Sequence, residues 1–294
     1  MADSTLRDRV RSMGKSSPQT PASDVADATP ATLSIAVWGP NGSPGKSTLA
    51  LNLADLLARQ GKRVLLVDSD LVSPSLALQL GVEDKASGIS AACKLAREAN
   101  LDTEQLDRIS VNVTGSSSSF SLLPGISGAS RWPEITPSAI ETILRVASNR
   151  FDVAIFDTAS SLEPALHTDA AALSRNELTR HLVASVDHLL AVVGCDPVSM
   201  QRMLRQIADI QKFRAGQPLS LVVNRVRDSA FGANPEKQVA QLFSQLAKIE
   251  PSYFLYEDSA AHDAALRNGL PVRLAKRRSQ YLKGVNLVAA GLQG

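Results

Sequence analysis

The chain has 294 residues, 44% of them apolar and 20% charged, enough to bury a sizeable core in one large domain or two small ones. Lys and Arg number 31 against 29 acids, a net charge of +2; this argues against a bulk polyanion binder while leaving room for a local basic patch. Aromatics at 4% are too few for a platform that stacks single-stranded nucleic acid.

Cys93 and Cys195 are far apart and form no CxxC pair, which argues against a disulfide framework, structural zinc or a bridging iron–sulfur cluster. His167, His181, His188 and His262 show no metal-ligand spacing. No apolar run reaches the roughly 18 residues of a membrane span, and no apolar leader opens the chain. A cytoplasmic protein is the expectation.

Residues 1–31 are rich in Ser, Ala, Pro, Thr and Asp and read as a disordered arm, because such a composition cannot offset ordering entropy by burial. From 32 onward the pattern changes. "TLSIAVWG" is a buried-strand run, and "KSTLALNLADLLARQG" carries Leu49, Leu53, Leu56 and Leu57 at helical spacing before the stop at Gly61. "KRVLLVDSD" reads as a second strand, followed by short helices in "SPSLALQLG" and "GISAACKLAREAN". "ISVNVTG" and "FSLLPG" read as strands joined by a Ser-rich loop, and "TPSAIETILRVASN" as a helix capped by Thr136. "FDVAIFD" is a further very apolar strand.

Downstream, "HLLAVVG", "LSLVVNRV" and "SYFLYED" are strands, with helices in "SMQRMLRQIADIQKF", "KQVAQLFSQLAKI", "AHDAALRNG" and "RSQYLKGVNLVAAGL". Continuous apolar strands alternating with helices predict one α/β domain over 32–294, with a mostly parallel sheet covered by helices on both faces.

Between the first strand and the first helix lies "GPNGSPGKST". A Gly-rich loop ending GK[ST] aims backbone N–H groups and a helix N-terminus at phosphates. Lys46 is then the residue for the β- and γ-phosphates, and Ser47 supplies a hydroxyl to Mg²⁺. The strict spacing needs Gly at 40, where this chain has Pro40, with Gly39 one residue early. Asp68 and Asp70 stand at the carboxyl end of the second strand, where open α/β sheets bind ligands. Asp157 ends "VAIFD" as a Walker B carboxylate would.

This order and spacing resembles the MinD/ParA family of P-loop ATPases, over about residues 33–275. "FDVAIFDTASSLE" is similar to its Walker B and switch II, "LSLVVNRV" to its base-contacting strand, and "HDAALRNGLPV" to the segment lining the base pocket. "LLPGISGASRWPEITPSAIETIL" and "LLAVVGCDPVSMQRMLRQI" resemble a divergent actinobacterial branch described as CpaE- or TadZ-like, or chromosome-partitioning-like.

The resemblance implies a P-loop NTPase three-layer sandwich that takes ATP and Mg²⁺. Asn41, Gly42, Ser43, Gly45, Lys46, Ser47 and Thr48 would surround the phosphates, and Asn224 would contact the adenine. Asp70 would act with Lys46 in catalysis by positioning the attacking water, and Ser47, Asp68 and Asp157 would lie toward the metal. It further implies a nucleotide-dependent homodimer with hydrolysis as its timer.

Two departures bear on rate. The family's signature lysine aligns with Asn41, so a cation is missing where phosphoryl charge develops. Pro44 lacks an N–H, and one lost charge-assisted bond is worth roughly 1.5–3 kcal/mol. Arg175 and Arg180 are candidates to replace the cation, against the plainer reading of solvated helix-face residues. The switch-II start, "DTASS", lacks the family's usual proline.

Three functions follow as expectations. One is a slow ATPase switch that positions a pilus or secretion apparatus through a protein partner. Another is a partition-type ATPase binding DNA through Arg267, Arg273, Lys276, Arg277, Arg278 and Lys283. The third is a scaffold that binds nucleotide without turnover. Membrane attachment is expected to be peripheral at most, since the Gly-broken last helix reads better as a packing helix.

Overall fold

The structure, a computed structural model, describes residues 32–42, 44–82, 88–115, 118–164, 174–214, 216–232 and 234–293. The arm expected over 1–31, and Ser43 of the glycine-rich loop, lie outside the described residues.

The elements begin with β1 (Leu33–Trp38), α1 (Lys46–Arg59), β2 (Val64–Ser69), α2 (Leu76–Gln79), α3 (Gly88–Arg97), α4 (Thr103–Ile109), β3 (Val111–Thr114) and β4 (Ser119–Leu123). A 3₁₀ turn (Ala129–Glu134), α5 (Pro137–Ala147), β5 (Val153–Thr158), α6 (Glu177–Ser185), β6 (His188–Gly194) and α7 (Pro197–Arg214) follow. The chain continues with β7 (Leu219–Val226), α8 (Asp228–Phe231), α9 (Pro235–Ala247), β8 (Pro251–Tyr256), α10 (Ser259–Asn268), α11 (Val272–Ala275) and α12 (Gln280–Gly291).

The strands form one eight-stranded sheet in the order β3-β4-β2-β5-β1-β6-β7-β8. Every neighbouring pair is parallel except β3 with β4 at one edge. Because side chains alternate along a strand, each central strand feeds two cores. Ile35 and Val37 of β1 pack with Leu49 and Leu53 of α1 and Val285 of α12. Ala36 and Trp38 belong to the opposite core with Ile140 of α5, Leu182 of α6 and Met203 of α7. Such two-sided burial is why these strands read as continuous apolar runs.

Thr136 caps α5, its hydroxyl accepting from Ala139 N at 3.4 Å with Pro137 in the first turn. Helices α4 and α6 are short and weakly patterned, and the hydrophobic spacing alone does not announce them. The first is set by its cap, since the Asp102 carboxylate accepts from Gln105 N at 2.7 Å.

One buried cation ties the second half of the sheet together. Arg214, at the end of α7, is 1% exposed. It donates to Val183 O at 2.8 Å, Val186 O at 3.0 Å, Asp187 O at 3.3 Å and Pro218 O at 2.8 Å. Those carbonyls lie around the end of α6 and the starts of β6 and β7.

His188 lies beside it, bonded through Nε2 to Ser220 Oγ at 2.9 Å. Burial, and then the Arg214 charge, lower its pKa below the usual histidine value. The unfolded chain therefore takes up this proton first as pH falls. Stability from the neutral His188 is present above about pH 6.5 and is lost as pH falls from there toward the folded pKa. Melting curves between pH 7.5 and 5 should show a shallower loss for His188→Gln than for the wild type; equal slopes would remove His188 from the account.

Candidate functional site

The glycine-rich loop leaves β1 under steric constraints that explain its sequence. A Cβ on Gly39 would lie 2.3 Å from Val192 O of β6 and 2.9 Å from Pro44 Cγ. The loop's first glycine therefore answers to the neighbouring strand and to the Pro44 ring. Gly42 (φ 116°) and Gly45 (φ 96°) both take the left-handed backbone that favours glycine. A Cβ on Gly45 would lie 2.2 Å from Asn224 Nδ2, and the same amide donates to Pro44 O at 2.8 Å. Pro44 thus contributes an acceptor and a packing ring where it has no N–H.

Helix α1 starts at Lys46 with no side-chain cap and no acid in its first turn. Its first-turn N–H groups have no intrahelical partner, and Lys46, Ser47 and Thr48 line the cleft in front of them. Such a helix start attracts anions.

Carboxylates converge from the adjacent strands. Asp68 and Asp157 are direct cross-strand partners. Asp157 is fully buried, and neither of its oxygens accepts a hydrogen bond. Burial pushes its pKa well above the usual carboxylate range, and Asp68 pushes the same way. The Ser47 hydroxyl and Lys46 charge pull it down; the hydroxyl acts from nearby, short of a full hydrogen bond.

Asp68 is also pushed up, to about 7, by burial against the pull of its backbone bonds. Its Oδ2 accepts from Ser75 N at 2.9 Å and Leu76 N at 3.0 Å, and its Oδ1 from Asp70 N at 3.3 Å. Asp68, expected toward the metal, thus also braces the β2–α2 turn through these three backbone bonds. Asp70 Oδ1 accepts from Val72 N and Ser73 N, both at 2.9 Å, and Asp70 lines the cleft.

Lys46 is buried among these acids and donates to Ser160 Oγ at 2.7 Å. Burial lowers its pKa, while Asp157, Asp70 and Asp68 raise it. The pocket therefore holds an orphaned buried carboxylate beside a lysine and an open helix start. That donor set fits a magnesium-bound polyphosphate. Among the described residues no group of three His, Cys, Asp or Glu side chains is placed to hold a metal ion by itself; Mg²⁺ characteristically takes phosphate and water ligands besides one or two carboxylates.

Two clefts meet at the loop. The phosphate cleft, about 610 Å³, is lined by Asn41, Gly42, Lys46, Asp70 and Ser160 among others. The second, about 260 Å³, has a mixed lining: Leu266, Leu270 and Val272 give it apolar contacts, and Asn224, His262 and Asp263 give it polar ones, a combination suited to a flat heterocycle with polar edges. Gly45, Thr48, Gln79 and Arg225 border both.

Three residues here escape sequence reading. Ser160 follows β5 in the altered switch segment, where its hydroxyl holds Lys46 and its carbonyl accepts from Trp38 Nε1 at 3.2 Å. Arg225 reaches the junction of the clefts from a left-handed position (φ 57°) at a bulge in the β7–β8 register, the kind of irregularity that re-aims a side chain. Arg202 of α7 donates to Asn41 O at 2.8 Å. Arg175 and Arg180 are engaged elsewhere and do not line the phosphate cleft. Arg175 donates to Ala129 O and lies over Trp132; Arg180 donates to Leu162 O and lies over Phe213.

A parallel sheet with a phosphate loop and acids at its carboxyl edge defines a nucleotide-binding α/β protein of the P-loop class. Residues 35–272 match the family described as the CobQ/CobB/MinD/ParA nucleotide binding domain, and the chain belongs to that family as a MinD/ParA-type P-loop ATPase. It is 27% identical over 214 residues to the septum site-determining protein MinD of Synechocystis, covering 72% of each chain. It is 28% identical over 185 residues to the chromosome-partitioning ATPase Soj of Thermus thermophilus, covering 62% of this chain and 63% of Soj.

Among solved structures, a ParA family ATPase from Chlorobium tepidum superposes with a TM-score of 0.71 at 18% identity, covering 88% of this chain and 99% of that one. MinD from Pyrococcus horikoshii, complexed with Mg-ADP, superposes at 0.66 with 19% identity, covering 89% and 96%. ATP with Mg²⁺ is the cofactor pair of the family.

Proposed function

We propose that this chain binds ATP with Mg²⁺, hydrolyses it slowly, and uses the bound state to dimerise and position a cellular assembly. The observation that carries this reading is the buried Asp157 carboxylate, without a hydrogen-bond partner, beside Lys46 and the open start of α1. Gly42, Ser43, Gly45, Lys46, Ser47 and Thr48 surround the phosphates in this reading. Ser47 and Asp157 face the metal, which neutralises phosphate charge when bound. Asp70 orients the attacking water, and Asn224, Leu270 and Val272 border the base.

Slow turnover is the expectation because Asn41 brings no charge and Pro44 no N–H to the loop. Resemblance to CpaE- and TadZ-like proteins supports a pilus or secretion apparatus as the cargo, reached through a protein partner.

Lys46→Ala should weaken ADP and ATP binding at least about 30-fold, since it removes a charge-assisted contact and leaves Asp157 more exposed to its like-charged neighbours. Asp70→Ala should keep nucleotide affinity and abolish turnover. Isothermal titration with a phosphate-release assay reads both. Tight binding with no turnover in the wild type, unchanged by Asp70→Ala, would favour the scaffold instead.

Partition-type DNA binding is the second reading. Of the cations behind it, Arg273 is paired with Asp55 at 2.7 Å and Lys276 with Asp258 at 3.0 Å. Arg267, Arg277, Arg278 and Lys283 are exposed, the last three around a cleft beside α12, and these four are the ones that support it. No helix among the described residues is long and apolar enough to cross a membrane.

A further inference from the structure

Asn41 leaves the loop entrance without the cation that the family resemblance predicts, and the fold delivers another to the same peptide from 161 residues away. Arg202, near the start of α7, donates from Nη1 to Asn41 O at 2.8 Å. That nitrogen lies directly over the next residue: a Cβ on Gly42 would be 2.3 Å from it, at a backbone φ of 116°. The backbone conformation favours glycine, and a side chain there would push the guanidinium off this approach. No carboxylate pairs with Arg202 among the described residues. The guanidinium has five N–H donors, and the Asn41 carbonyl engages a single nitrogen of it.

Arg202 lines neither cleft itself; its position along the ligand path follows from the Asn41 and Gly42 it contacts. Gly45, Thr48, Gln79 and Arg225 border both, whereas Asn41 and Gly42 border only the phosphate cleft, together with Asp70 and Ser160. With a base in the Asn224 slot, the Asn41–Gly42 end is where a terminal phosphate lies.

We infer that Arg202 is the positioning cation of this loop. It holds the Asn41–Gly42 peptide in place and sets a positive charge at the terminal-phosphate end, so that the site distinguishes a triphosphate from a diphosphate. The inference rests on the nucleotide-binding reading. Arg202 is exposed, so its contribution is screened by salt.

The test is titration of the full chain with ADP and with a non-hydrolysable ATP analogue, each with Mg²⁺, at low and high salt. Arg202→Met keeps much of the stem and removes the charge. It should weaken analogue binding about tenfold at low salt and ADP binding by less than about twofold. Adding Asn41→Lys to Arg202→Met returns a cation to the loop and should restore the preference. Lys46→Ala should weaken both ligands in parallel.

Equal loss of ADP and analogue in Arg202→Met would make Arg202 a brace of the loop and overturn the assignment. So would no loss of either, while the Lys46→Ala result upholds the nucleotide site. A wild-type chain that binds neither ligand would overturn the site and the assignment together.

Discussion

Asp157→Asn should make the ligand-free protein harder to unfold and, at the same time, remove most of what magnesium adds. The wild-type carboxylate is fully buried at the end of β5, and neither oxygen accepts a hydrogen bond. Its cross-strand neighbour is another acid, Asp68. At pH 7 the fold must either hold this charge out of water or hold a proton against the solution; both cost free energy. A neutral amide of the same shape avoids that cost, and the gain should be about 1–3 kcal/mol.

With ligand the sign reverses. Mg²⁺ with ADP should raise the wild-type melting temperature well beyond ADP alone, and that increment should nearly vanish in Asp157→Asn. Thermal melts under the two conditions read both effects. A ligand-free variant less stable than the wild type would show that the carboxylate is compensated within the fold and is not held open for a metal.

Arg214→Met should have the largest effect on stability. Methionine fills much of the volume but leaves the Val183, Val186 and Pro218 carbonyls without their donor in a region closed to water. Unpaired buried polar groups of this kind cost about 1–3 kcal/mol each, and the wild-type arginine pays part of that back in its own desolvation. A net loss of about 3–5 kcal/mol is expected, lowering the melting temperature by roughly 10 °C. Arg214→Lys should recover part of this, because an ammonium offers three donors in a different geometry. A variant within about 2 °C of the wild type would mean that the carbonyls find other partners. Folded variant should keep its nucleotide affinity, since Arg214 lies at the far end of α7 from Arg202.

The parts of the molecule legible in the sequence are those encoded by contiguous residues. The strands buried on both faces announce themselves as apolar runs, and "GKST" carries its phosphate chemistry within four letters. The strand-end acids are legible for the same reason, although Asp68 illustrates a limit. Its type and place in β2 are readable, but the three backbone N–H groups it accepts from are a property of the turn that follows.

What stays hidden is long-range. Arg202 meets Asn41, and Asn224 meets Pro44, across most of the chain. No local pattern separates Arg202 from Arg175 and Arg180, which the same reasoning about a missing charge brings forward; only the packing of α7 against the loop does. Arg225 depends on a bulge that no residue type at that point announces.

Helix α1 also does more than begin at the phosphates. Asn52 on it accepts from Val272 N at 2.8 Å, and Asp55 grips Arg273 at 2.7 Å while sharing Ser118 with it. Lys46 and Asn52 are six residues apart, about 9 Å along a rigid rod. The rod is thus yoked at one end to the phosphate loop and farther down to the rim of the base slot. A shift of α1 at its phosphate end should therefore carry Val272 and Arg273 with it, which would tie the two clefts together as one lever.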